Sequence, residues 1–167
     1  MLFTPMRIGG IARAAYGSAT AMLQGDRSGS DVMLRDLEAI CEDLDEALWA
    51  IAILTLERLA TAYELRPPGG GSEPMATTIL ARADGFGRST LSVRAAASRL
   101  DALRSGDLEA FAASTVGLTA VASEFDLLVG AAALLTAALW WGATAAGRQP
   151  EDVCRELCTA AVLATDH

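Results

Sequence analysis

The sequence predicts an all-α fold, an elongated bundle of about five to six helices that dimerisation can complete. Apolar residues make up 52% of the 167-residue chain and aromatic ones only 5%, so the apolar mass is alanine, leucine and valine, the composition of closely packed helices. Apolar positions recur at spacings of three and four, the period of one helical face. The longest uncharged run, Leu127–Gly147, holds 21 residues between Asp126 and Arg148 and reads as a central helix enclosed by the others.

Taken in order, Thr4 and Pro5 read as the N-cap and first position of an opening helix. Arg7, Gly9, Gly10 and Arg13 interrupt any signal-peptide core, so this stretch reads as an ordinary helix or an arm docking on a partner subunit. After the turn GDRSGS, Leu37, Cys41, Leu44, Leu48, Ile51, Thr55, Leu59 and Ala62 mark one helix over 31–65. Its first half is acidic outside (Glu38, Glu42, Asp43, Asp45, Glu46), and its second half, ALWAIAILTL, reads as enclosed nearly all round. At about 1.5 Å per residue such a helix is roughly 50 Å long, which favours an elongated bundle or a dimer.

RPPGGGSEP, at 66–74, is the one clear linker within a single helical domain spanning 1–167. It separates an N-terminal helical pair (4–65) from a C-terminal helical set (75–165). A short helix is predicted over Met75–Asp84, an interruption at Gly85-Phe86-Gly87, and a helix to Ser105 with Ser89 or Thr90 as cap. Asp107 caps the next helix, and Ser123 with Asp126 offers a second start, so 107–147 reads as either one bent helix or two. Gly147, Gln149 and Pro150 form a stop-and-start signal, with the last helix running from Pro150 to about Thr165.

Leu127–Gly147 is long enough, at about 30 Å, to cross a bilayer. Its alanine content, the internal Trp140 and Trp141, and the absence of a positive-inside bias favour a buried or partner-covered helix.

Charge and residue inventory exclude several function classes. The net charge of −8 argues against charge-driven nucleic-acid binding by the whole surface. Three cysteines, Cys41, Cys154 and Cys158, make no disulfide framework and fit a reducing cytoplasm. The only histidine is His167, which removes histidine triads and the paired carboxylate–histidine motifs of di-iron bundles. Lysine and asparagine are absent and all 13 basic residues are arginine, as codon bias in a GC-rich bacterial genome produces. No residue set is assigned to catalysis, a cofactor or a metal.

Two segments carry partial resemblances. CEDLDEALWAI resembles the glutamate-rich helix of the MazG-type nucleotide pyrophosphohydrolases, which implies a magnesium-dependent bundle enzyme. The second acidic helix of that family has no counterpart here, so Glu42, Asp43, Asp45 and Glu46 also read as a solvated face. ILARADGFGRSTLSVRAAASRLDAL, at 79–103, resembles the helix-turn-helix of bacterial transcription regulators. Ala81, Gly85, Phe86, Leu91 and Arg94 stand at the matching places, although Asp84 and Gly87 depart from the pattern. The resemblance implies that Arg88, Ser89, Thr90, Ser92 and Arg94 face DNA. Arginines pairing with the acidic 31–46 segment account for the same residues.

The reading these features favour is a non-enzymatic adaptor or oligomer-forming protein, associating with itself or another protein. Close helix approach is expected at Gly130, Ala131, Ala138 and Gly142. Leu135, Leu139, Trp140 and Trp141 are the interface candidates, the two adjacent tryptophans necessarily facing different ways.

Overall fold

The computed structural model describes residues 5–64, 73–113 and 122–165. All regular structure among them is helical, in eight helices: α1 (Pro5–Leu23), α2 (Arg27–Ile40), α3 (Leu44–Glu64), α4 (Glu73–Phe86), α5 (Thr90–Arg104), α6 (Leu108–Ala113), α7 (Glu124–Ala145) and α8 (Pro150–Thr165). Thr4, proposed as the first cap, and most of the 66–74 linker lie outside the described residues.

Helix α7 is the axis. Every residue from Leu127 through Leu139 is buried, because α1, α3, α4, α5 and α8 all pack on it. It is long and apolar enough to cross a membrane, and the chain's own helices cover it. Its buried hydroxyl is satisfied locally, Thr136 Oγ1 donating to the Ala132 carbonyl at 2.7 Å, and Thr55 Oγ1 of α3 donates to Ile51 in the same way. Helix α8 lies along α1 in antiparallel sense, with Cys154 beside Thr20 and Cys158 beside Arg13.

Several boundaries follow from caps that the sequence announces. Ser89 Oγ accepts from Ser92 N at the start of α5, Asp107 Oδ1 from Ala110 N at 3.0 Å at α6, and Ser123 Oγ from Asp126 N at 3.1 Å at α7. Gly147 takes φ +69° to turn the chain between α7 and α8, a left-handed conformation that glycine adopts without steric cost. Over 107–147 the described residues do not form one continuous helix: Ser123 is extended and starts α7 afresh, while α6 is described as far as Ala113.

Three expectations are corrected. The helix predicted over 31–65 is two helices, because Asp43 caps a new start: its Oδ1 accepts from Glu46 N at 2.8 Å and its carbonyl from Ala47 N, while Cys41 turns extended. The roughly 50 Å length used to infer elongation therefore falls away, and α3 alone is about 30 Å long. Helix α2 also begins four residues early, at Arg27, because Asp26 rather than a later residue accepts from Gly29 N at 2.9 Å. Finally, α4 continues through Gly85, so the interruption is confined to Gly87–Ser89.

Candidate functional site

The candidate site is a groove between α1 and α3. These two helices barely touch each other although both rest on α7, and the splay opens a cleft walled by Ile8, Ile11 and Ala12 on one side and Ala50, Ile53 and Leu54 on the other. Among the described residues of the lining, Glu57 alone is charged. Ile8 is 52% and Ile53 37% exposed, so each stands as a ridge beside the cleft. The ALWAIAILTL half of α3 is thus not enclosed all round as its sequence suggests: α7 and α5 cover one side, and the side carrying Ile53 faces outward.

The interface residues expected from sequence lie elsewhere. Leu135 and Leu139 are buried in the chain's own core, covered by its own helices. Trp140 is half-buried with the Arg82 guanidinium 4.8 Å from its ring, and Trp141 is half-buried against the core from another side of α7. Of the positions expected at close helix contacts, Gly130 lies against Ser92 of α5 and Ala131 is buried, whereas Ala138 and the half-buried Gly142 line a cavity instead.

The residues expected to face DNA are largely committed to the fold. Arg88 pairs with Asp31 of α2, and Arg94 Nη2 reaches Asp84 Oδ2 at 3.1 Å. Ser89 is the helix cap, and Ser92 is only 1% exposed, turned against α7 rather than outward. Thr90 alone of the five is exposed with no role in the packing given to it. The helix-turn-helix register is displaced as well, since Ala81 is exposed and Ala83 is the buried alanine. The basic segment instead meets the acidic one within the chain, at Arg88–Asp31 and where Arg99 of α5 lies near Asp45 of α3.

The acidic cluster is divided in the same manner. Glu46 is 2% exposed and paired with Arg7 of α1, which also donates to the Ile40 carbonyl at 3.3 Å. Asp43 is spent on the α3 cap, and Glu42 and Asp45 face solvent. Among the described residues no three His, Cys, Asp or Glu side chains converge as a metal site. Burial pushes the Cys41 and Cys154 thiols up to about 11 and raises Cys158, which makes all three poor nucleophiles at neutral pH.

Sequence reasoning missed Ile8, Ile53 and a half-buried arginine, Arg58. One signal was present: Ile53 falls two residues from Ile51 and Thr55, about 200° round the helix from either, so it cannot share their face. Comparison with protein-family models, with curated proteins and with solved structures finds no match for this chain.

Proposed function

We propose that the chain is an assembly protein that pairs with a second copy of itself through the α1–α3 groove. The observation that carries this reading is the pairing of an apolar cleft with two exposed isoleucine ridges, Ile8 and Ile53, on the same face. A twofold interface needs a self-complementary patch, and a ridge beside a cleft is one: each copy's isoleucines enter the other's groove. Burying them removes apolar area that water otherwise surrounds. The three unpaired cysteines suit a reducing compartment such as the cytoplasm.

Light scattering of the purified chain tests the reading. The wild type is expected as a discrete dimer, and Ile53→Arg as a monomer with unchanged helical circular dichroism. A guanidinium at that position sits four residues before Glu57 and is tolerated by the helix. A monomeric wild type, or a dimer indifferent to Ile53→Arg and Ile8→Glu, rejects it.

A further inference from the structure

A second cavity, of about 500 Å³, opens between α3, α7 and α8. Ala138, Gly142 and Ala143 of α7 face Val153 and Leu157 of α8 across it, and the space exists because the α7 side supplies so little side chain. Its volume lies in the range of small-molecule sites, roughly 300–1,000 Å³.

Among the described residues the wall holds three charged ones, of which two neutralise each other: Arg148 Nη1 and Glu156 Oε2 meet at 3.0 Å, with a second bond between the same groups. The third is Arg58. Its side chain is 21% exposed, and its Nε–H is shut off from solvent with no acceptor. Among the described residues the carboxylate paired with it, that of Glu57, stands 4.0 Å away with a side chain 55% exposed, and lines the α1–α3 groove rather than this cavity. Tyr16 is close enough to feel the Arg58 charge, yet burial pushes its phenol up to about 12, so it stays neutral and supplies no counter-charge. An apolar cavity with one under-compensated guanidinium in its wall is complementary to an apolar chain ending in a single anion.

We propose that this cavity binds a monocarboxylate amphiphile, its carboxylate on Arg58 and its alkyl chain between α7 and α8. Calorimetric titration of the whole chain with decanoate, held below its micellar range, tests this against decanol and acetate. Saturable decanoate binding is expected, with decanol and acetate each weaker by about tenfold or more, the effect of losing a hydrogen bond to a charged group or the buried chain. Arg58→Met is expected to erase the preference for decanoate over decanol. Ala160→Phe is expected to block both, because Ala160 lies exposed at the cavity's edge and a larger side chain there fills the mouth without entering the core. The wild-type comparison needs no variant to fold. Absence of saturable decanoate binding, equal binding of decanoate and decanol, or decanoate binding that survives both substitutions overturns the proposal. So does a dimer that Ala160→Phe dissociates in a chain that binds no decanoate, which assigns the cavity to a second copy.

Discussion

Gly130 of α7 lies directly on the backbone of Ser92 of α5: a Cβ built at Gly130 falls 2.5 Å from the Ser92 carbonyl carbon. The obstruction is main chain, so it yields only if a helix shifts. Gly130→Ala is therefore expected to destabilise the protein by about 1–3 kcal/mol or more, the range of overpacked cores. Gly85 makes the control, because it is helical and a Cβ there meets nothing within 4 Å. Gly85→Ala is expected to stabilise by roughly 0.5–1 kcal/mol through the restricted unfolded chain. Urea midpoints of the two variants, moving in opposite directions, check the pair.

Arg7 and Glu46 are unequally buried, at 27% and 3% side-chain exposure, and the asymmetry sets the outcome of breaking their pair. Arg7→Met leaves a buried carboxylate with the Glu42 N–H but without its counter-charge, and is expected to cost about 3 kcal/mol. Glu46→Gln leaves a cation that still reaches water and the Ile40 carbonyl, and is expected to cost clearly less. Equal losses in the two variants would show that Glu46 has another way to reach solvent.

The caps at Ser89, Asp107 and Ser123 and the turn at Gly147 were legible because a helix start or stop is local chemistry, written in three or four neighbouring residues. The enclosure of α7 was legible for a related reason: 21 residues without a charge leave few surfaces on which such a helix can lie. The break at Cys41–Asp43 was hidden because the apolar period runs on in phase through it, and Asp43 with Glu46 looked like part of a solvated acidic face. Apart from the phase of Ile53, the groove and the cavity were not legible. Which side of an apolar helix stays open depends on how far α1 stands from α3, and whether Arg58 finds a partner depends on α7 and α8, far away in sequence. Non-local packing decides both.

Arg99 is 1% exposed and neither terminal nitrogen of its guanidinium has a hydrogen-bond acceptor. Burial pulls it down to about 10, with nearby Asp45 acting weakly the other way. A buried charge without a full partner costs stability, so Arg99→Met, of similar length and apolar, is expected to raise the urea midpoint by the equivalent of about 1 kcal/mol or more. A lower midpoint would mean that the guanidinium holds α5 to α3 through contacts stronger than its desolvation.

Alkali is expected to weaken the fold from about pH 9 upward, and the thiols give the reason. Burial lifts Cys41 and Cys154 from 9.0 to about 11, so between those values the unfolded chain has released protons that the folded chain still holds. Release favours the state that releases, and stability falls as pH rises through that window. Tyr16, lifted from 10.0 to about 12, continues the fall at higher pH. Arg99 works in the opposite sense, because its folded value near 10 lies below the ordinary 12.5 and its burial penalty is relieved only once it loses its proton. Its relief begins about where Tyr16 joins the thiols, so the interval from about pH 8 to about pH 10 is where the thiols act with least interference. Urea midpoints are expected to drop across that interval in the wild type. Cys154→Ala starts lower at pH 8, since a buried sulfur is lost from the core, but drops less steeply. A wild-type midpoint flat across the interval would mean that water reaches the thiols in the folded state.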